Sequence, residues 1–467
     1  MTGAEVRETH TAVVFFVGDR AYKLKKPVDL GFVDFRDRAA RERACRAEVR
    51  LNRRFAPDVY LGVADVTGPD GDLCDHLVVM RRLPAERRLA ALVRAGEPVD
   101  DALRATAKLL ASWHARAPRG PEITADGGRD ALRARWEQGF AQVRLDGQNE
   151  IEERVHRFLA GRADLFAARE DRIVDGHGDL LADDVFCLDD GPRVLDCLEF
   201  DADLRHLDGL DDAAFLAMDL ERLGAPEEAR KFVGWYAEFA ADPAPPSLLH
   251  HYVAYRAFVR ARVACLRAAQ GAPDPGADAL AGLALRHLRA GAVTVVLVGG
   301  LPGTGKSTLA GGLAARLGAT VLGSDRVRKE LAGLTPETSA AAPYATGLYA
   351  PEHTRRTYAE LAGRAARLLR RGETVVLDAS WTSAEHRALA AEAAQREHAD
   401  LVAIECRAPG DVTAARLRNR GPGASDADRD TARSMAGRAD PWPEAVPLDT
   451  TGPALDRALE IVRARAR

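Results

Sequence analysis

Gly300-Leu301-Pro302-Gly303-Thr304-Gly305-Lys306-Ser307 fits the pattern G-x-x-x-x-G-K-[ST]. The apolar run 293–298 before it reads as a buried strand, and 308–317 after it reads as a helix. Strand, glycine loop and helix is the context in which such a loop turns its backbone N–H groups inward around phosphates. Gly300, Gly303, Thr304, Gly305, Lys306, Ser307 and Thr308 are the candidate cradle. Lys306 is placed to reach the β- and γ-phosphates, and the Ser307 hydroxyl to ligate Mg²⁺. ATP and Mg²⁺ are the expected cofactors. The loop opens a domain, and 299 residues precede it.

Around the loop the second half of the chain reads as α/β. Candidate strands at 293–298, 319–322, 374–377, 401–405 and 445–448 are separated by helical stretches such as 354–371 and 383–397, and 454–467 closes the domain. That alternation implies a parallel sheet. Ligands of such sheets bind beyond the carboxyl ends of the strands. Two acidic residues fall there. Asp325 follows the second strand in Gly323-Ser324-Asp325-Arg326-Val327-Arg328, where it can take a proton from an acceptor hydroxyl, while Arg328 can bind an anionic group on that acceptor. Asp378 ends the strand Val375-Val376-Leu377-Asp378, as a Walker-B-like carboxylate acting on Mg²⁺ through water. Arg416 and Arg420 fall one turn apart before Gly421-Pro422-Gly423 and read as lid arginines over the transferring phosphoryl group. This order resembles small P-loop kinases: polynucleotide 5′-kinases, gluconate-type sugar kinases and the zeta-toxin group. By that likeness Asp325 is the general base.

The first half is built differently. Segments 11–17 and 20–24 flank Gly18-Asp19 as a hairpin, 36–55 reads as a long charged helix, and 59–66 and 77–81 as further strands. From 85 to about 269 the pattern is helical, except for a strand-rich piece at 173–200. A small β lobe before a larger helical lobe suggests a kinase-like bilobal domain. Its chemistry lies in His177-Gly178-Asp179-Leu180-Leu181-Ala182-Asp183-Asp184 and in Val194-Leu195-Asp196. Protein kinases use H-R-D-x-x-x-x-N and then an Asp on Mg²⁺. Here Asp179 would orient or deprotonate an acceptor hydroxyl, with Asp184 and Asp196 as metal ligands, since Mg²⁺ takes hard oxygen ligands.

This half resembles the aminoglycoside phosphotransferase-like kinases, which phosphorylate hydroxyls of antibiotics, sugars and choline-like molecules. Their loop reads H-G-D-L-H-x-x-N, so the chain departs at Leu181 and Asp184. The resemblance implies that Lys23 grips the α/β-phosphates with Glu48 as its ion-pair partner. Lys25, on the same strand face, is the alternative. Thr9 and His10 take the place of a glycine-rich loop over the phosphates. A surface i,i+4 role for Glu48 stays open, and His177 is expected to brace the backbone. Arg256 and Arg260, one turn apart, are expected to pair with Asp208, Asp211 and Asp212 rather than bind an anionic substrate.

Lysine usage supports two phosphate sites. The chain has seven lysines against 59 arginines, and four of the seven are Lys23, Lys25, Lys26 and Lys306. A compact ammonium is not interchangeable with a guanidinium. A net charge of −4 gives no global field for nucleic acid, although a 5′-hydroxyl acceptor stays open. Six scattered cysteines form no C-x-x-C and read as reduced thiols. No signal peptide or membrane-length apolar run is seen, so a cytoplasmic setting is expected.

The resulting expectation is a multidomain α/β and α+β chain. Residues 1–270 form the phosphotransferase-like domain (lobes 1–84 and 85–270), 271–290 a linker and connecting helix, and 291–467 the P-loop kinase domain. The whole order resembles a bacterial fusion of these two kinase types. It implies phosphoryl transfer from ATP to a small-molecule hydroxyl, sugar-, aminoglycoside- or nucleotide-like, and leaves the oligomeric state open. The competing reading is a P-loop kinase or ATPase regulated by a non-catalytic kinase-like module.

Overall fold

In the computed structural model, which describes residues 5–8, 11–29, 34–269, 276–335, 338, 345–419 and 429–465, period-two burial organises the first sheet. Its strands are β1 (Glu5–Glu8), β2 (Ala12–Val17), β3 (Arg20–Lys25), β4 (Tyr60–Thr67) and β5 (Leu73–Arg81), antiparallel in the order β1-β2-β3-β5-β4. In β5, His76, Val78 and Met80 are buried and the residues between them are half-exposed. Register places Ala21 opposite Met80 and Lys23 opposite Val78. The inward face of β3 therefore runs Ala21, Lys23, Lys25.

The helix Arg38–Asn52 joins β3 to β4, and Asp37 caps it by accepting the Ala40 N–H at 3.2 Å. Cys45 and Val49 pack onto Ala21, Val78 and Met80, which turns Glu48, on the same face, toward the lysines. Strand–helix–strand in this order is the small lobe of a protein-kinase-like fold. Strand β1 lies outside the sequence expectation because all four of its residues are exposed and polar patterning gives no strand signal.

The remainder of this unit is helical, around Trp136, which stacks on Phe140 at 5.4 Å and lies 4.8 Å from Phe258. The strand-rich stretch is two short ladders: β6 (Ile173–Asp175) with β9 (His206–Asp208), and the hairpin β7 (Val185–Leu188) with β8 (Gly191–Val194).

The second unit holds a parallel sheet of β10 (Thr294–Gly299), β11 (Thr320–Gly323), β12 (Val375–Asp378), β13 (Asp400–Arg407) and β14 (Val446–Asp449), ordered β11-β12-β10-β13-β14. Every residue of central β10 is buried, which explains its uninterrupted apolar run. The helix Lys306–Leu317 packs Leu309, Ala310 and Leu313 on the sheet beside Leu459 and Val462. By packing, the chain divides into Met1–Gln148 with Ala168–Ala244 and Tyr252–Ala284, and Asn149–Ala167 with Pro245–His251 and Leu285–Arg467. The second unit thus draws two short pieces from earlier in the sequence. Arg157 reaches Asp400 at 2.6 Å, and the Ser247 hydroxyl donates to the Gly372 carbonyl at 2.7 Å. Among the described residues no helix is long and apolar enough to cross a membrane.

The last residue of β10 controls the exit into the glycine loop. A Cβ on Gly299 would lie 2.2 Å from the Trp442 ring and 3.1 Å from Trp381. Gly299→Ala is expected to destabilise the second unit by about 1–3 kcal/mol through overpacking, measured as a shift in the denaturant midpoint. An unchanged midpoint would mean that the Trp442 contact is dispensable.

Candidate functional site

Two sites form, one in each unit. In the first, Lys23 and Lys25 project from β3 to the same carboxylate: Glu48 Oε1 lies 2.9 Å from Lys23 Nζ and Oε2 lies 2.6 Å from Lys25 Nζ. Glu48 is fully buried, so it is no surface helix partner. The lysines differ beyond it. Lys23 continues to Asp196 Oδ1 at 2.6 Å, whereas Lys25, 1 % exposed, is locked between Glu48 and Glu199. Lys23 is the lysine facing the cleft. Burial alone would discharge both ammoniums, but the surrounding carboxylates outweigh it and raise both pKa values.

Asp196 follows β8 with φ +62°, in the left-handed region that non-glycine residues seldom occupy. Its side chain is half-exposed, and Lys23 holds its carboxyl down to about 2. Its N–H donates to the Tyr60 hydroxyl at 3.2 Å. Leu195 N–H donates to the Asp184 carbonyl at 2.9 Å, which keeps the two acidic segments adjacent. Burial, then the charges of Asp196 and Asp179, push the Asp184 carboxyl well above the usual range. Mutually repelling carboxylates beside a cleft lysine suit a hard divalent cation, so these residues fit Mg²⁺ and nucleotide phosphate.

The H-G-D loop is held from beneath. His177 donates from Nε2 to the Leu195 carbonyl at 2.9 Å, leaving Nδ1 to accept the Asp179 N–H at 3.4 Å. Asp212 accepts the N–H groups of His177 and Gly178 at 2.7 and 3.0 Å and is backed by His114 at 3.1 Å. Asp175, just before the loop, is clamped by Arg54 and Arg205 at 2.7 and 2.8 Å. Arg256 pairs with Asp211 at 2.6 Å, while Arg260 lies 4.0 Å from Asp179. Thr9 and His10 lie outside the described residues, as does Arg420 in the second unit.

The second site grows from the exit of β10. Gly300, Gly303 and Gly305 hold φ of +132°, +83° and +88°. A Cβ would meet the Cys406 carbonyl at 2.5 Å from Gly300, and the Thr413 carbonyl at 2.8 Å from Gly303. Only glycine makes this turn against neighbouring backbone. Thr304 Oγ1 donates to the Leu301 carbonyl at 2.8 Å, and Lys306 Nζ to the same oxygen at 3.1 Å. The turn precedes the N-terminus of the helix Lys306–Leu317, so its open N–H groups and that lysine fit a phosphate chain.

Asp378 is level with Val298 and Gly323 across the sheet. Asp378, the glycine loop and Ser324-Asp325 therefore leave three adjacent strands at their carboxyl ends. Asp325 Oδ1 accepts from Arg328 at 2.7 Å, and the Arg328 guanidinium lies over Tyr349, 4.6 Å from the ring centre. Tyr358 stacks on His386 at 4.0 Å and bonds Ser380 Oγ at 3.0 Å. Arg387 is committed to the Trp381 and Pro441 carbonyls at 2.8 and 2.6 Å. Arg416 donates to the Thr450 carbonyl at 2.7 Å, with Nη1 3.4 Å from where a Cβ on Gly305 would stand. Thr450 Oγ1 lies 2.5 Å from the Thr304 carbonyl.

Glu199, Tyr60, Thr450 and His386 were not singled out from the sequence, and Asp212, expected as an arginine partner, instead braces the H-G-D loop. Only Thr450 carried a usable signal, as it directly follows the last parallel strand.

A family model described as an AAA domain matches residues 295–442. Protein Rv2004c of Mycobacterium tuberculosis is 45% identical over 461 residues, covering 96% of this chain and 93% of its own, and Mb2027c of Mycobacterium bovis matches equally. The chain belongs to the family of these mycobacterial proteins. Among solved structures it is similar to a choline/ethanolamine kinase family protein from Mesorhizobium loti (16% identity, 62% of this chain and 88% of that one, TM-score 0.41). It is also similar to a gluconokinase from Sinorhizobium meliloti (17% identity, 37% and 91%, TM-score 0.27). By its own sheet topology and loop geometry, this chain joins a protein-kinase-like fold to a P-loop parallel-sheet fold.

Glu48→Gln leaves two buried ammoniums short of a counter-charge and is expected to destabilise the first unit by about 3–5 kcal/mol in a denaturant titration. A loss under 1 kcal/mol, the size of an exposed pair, would overturn that account.

A second expectation concerns pH. Burial raises the Asp175 pKa, but Arg54 and Arg205 outweigh it and hold the carboxyl below its ordinary value. Its stabilisation is present above the unfolded value, about 3.9, and fades as pH falls through the folded one. The stability gap between wild type and Asp175→Asn is therefore expected to be widest above about pH 5 and to narrow on acidification. A pH-independent gap would show that the ionised pair is not its source.

Proposed function

We propose that the chain is an ATP- and Mg²⁺-dependent phosphotransferase that moves a γ-phosphate to the hydroxyl of a small molecule, with the P-loop unit as the principal catalyst. The observation that carries this reading is the convergence of Lys306, Asp378 and Asp325 at the carboxyl ends of three neighbouring strands around a glycine turn. Gly300, Gly303, Thr304, Gly305 and Thr308 would hold the phosphate chain through backbone and hydroxyl groups. Ser307 and Asp378 would hold Mg²⁺, which when bound supplies positive charge to the β/γ-phosphate oxygens.

Lys306 lies against the Leu301 carbonyl and would swing from that oxygen to phosphate. Asp325 would accept the acceptor's proton, with Arg328 holding its carboxylate in place at 2.7 Å. Arg416 would steady the loop through Thr450, beside the closing role assigned to Arg416 and Arg420 as lid arginines. An acceptor bearing a hydroxyl and a flat or anionic group suits the Tyr349–Arg328 and Tyr358–His386 stacks.

In the first unit the same logic assigns phosphate to Lys23, Thr9 and His10, metal to Asp184 and Asp196, and the acceptor proton to Asp179. Glu48 positions Lys23. This makes the first unit a second kinase. A regulatory nucleotide-binding module is the competing reading, favoured by the crowding of Asp184 against Asp196 and Asp179.

The test is a metabolite-library screen with the full chain, reading phosphorylated products by mass spectrometry. Lys306→Ala is expected to lower the P-loop product's turnover by about 10²–10³-fold, and Asp325→Asn by about 10²–10⁴-fold. Asp179→Ala should remove a different product and spare the first. If it changes no product while Lys306→Ala removes all of them, the first unit is regulatory. If no hydroxyl compound yields a Lys306-dependent product, the phosphotransferase reading fails.

A further inference from the structure

The second unit carries a cluster of positive charge far from the glycine turn. Strands β10 and β13 are parallel, and their amino ends, Val293 and Asp400, lie at the edge of the sheet opposite the P-loop. There they line a cavity of about 400 Å³, open mouth included, together with Arg154, Arg157 and Arg162. Asp400 is the cavity's one acidic lining residue, and Arg157 holds it at 2.6 Å. Arg154 donates to Glu150 at 2.8 Å from Nε, on the helix side.

Arg162 is the unusual member. Its side chain is 1 % exposed. Nη1 donates to the Gly161 and Glu397 carbonyls at 2.7 and 2.8 Å, and buried Nε has no hydrogen-bond partner. No carboxylate lies within ion-pair distance of it among the described residues. Its guanidinium also sits 5.9 Å from the Phe158 ring centre. Buried charges are ordinarily paired or hydrogen-bonded, and leaving one unpaired costs several kcal/mol. Burial lowers the Arg162 pKa to about 10 against the opposing charges of Glu397 and Asp400, with the like charge of Arg157 adding to the drop, and it stays charged at neutral pH.

We infer that this cavity binds a small oxyanion of the size of phosphate or sulfate, with Arg162 as its buried counter-charge and Arg154 and Arg157 at its sides. The planar guanidinium fork matches oxyanion geometry. The site is separate from the nucleotide site, and β10 is the one strand that runs directly from its wall to the glycine turn.

The test is thermal unfolding of the full chain at constant ionic strength, with 10 mM phosphate, 10 mM sulfate or chloride alone, in Lys306→Ala so that the P-loop contributes little. Phosphate and sulfate at roughly ten times Kd are expected to raise Tm by about 2–4 °C over chloride. Arg162→Met should abolish that shift while folding at least as stably in chloride, because it removes an unpaired charge. Arg154→Gln, at a less buried position, should weaken anion binding and covers the case in which Arg162→Met does not fold. A shift seen with sulfate alone and retained in both variants would be general salt stabilisation and would overturn the proposal. So would the absence of any shift over chloride. Because the P-loop lysine is already removed, failure here leaves the phosphotransferase reading untouched.

Discussion

A backbone turn that tolerates no side chain sets the geometry of the second unit. Gly300, Gly303 and Gly305 occupy positive φ, and at two of them a Cβ would strike a neighbouring carbonyl carbon or oxygen. The rest follows. The turn can form only where a fully buried strand delivers it and a helix begins directly after it. The strand is buried because helices cover both faces of a parallel sheet. The parallel sheet in turn brings Asp378 and Asp325 to the same edge. Thr450 then ties the last strand to the loop through the Thr304 carbonyl, so the far side of the sheet also holds the turn in shape.

The first unit solves a similar problem with side-chain charge instead of backbone. Two ammoniums share one buried carboxylate, and two further carboxylates complete the set. Each burial penalty is offset by a neighbour, so the group is stable only as a whole. Lys23 is the lysine of the set that borders the half-exposed Asp196. The H-G-D loop needs its own support, and Asp212 gives it by accepting two consecutive N–H groups.

The sequence disclosed what is local. The glycine loop lies within eight consecutive residues, and the inward face of β3 follows from alternation, which is why the two lysines could be named but not ranked. Ranking them required Glu199 and the exposure of each ammonium, and both depend on how distant segments meet. Glu48 was readable only as one of two alternatives for the same reason. Strand β1 is exposed on all four residues, with Val6 its one apolar side chain, and reads as coil. The helical stretch 149–161 is amphipathic, but an apolar stripe does not say which sheet it will cover. Buried Arg162 is invisible among 59 arginines until its surroundings are known.

The interleaving of the two units has a consequence for biosynthesis. Residues 149–167 and 245–251 leave the ribosome before any strand of their unit's sheet has been made. Domains fold largely in order of synthesis, so these pieces must wait with apolar surface uncovered until β13 has been made. A chain cut at the apparent linker near 270 would strip them from their unit altogether. Chaperone demand and the behaviour of truncated forms are thus set by chain threading as much as by the stability of the finished fold.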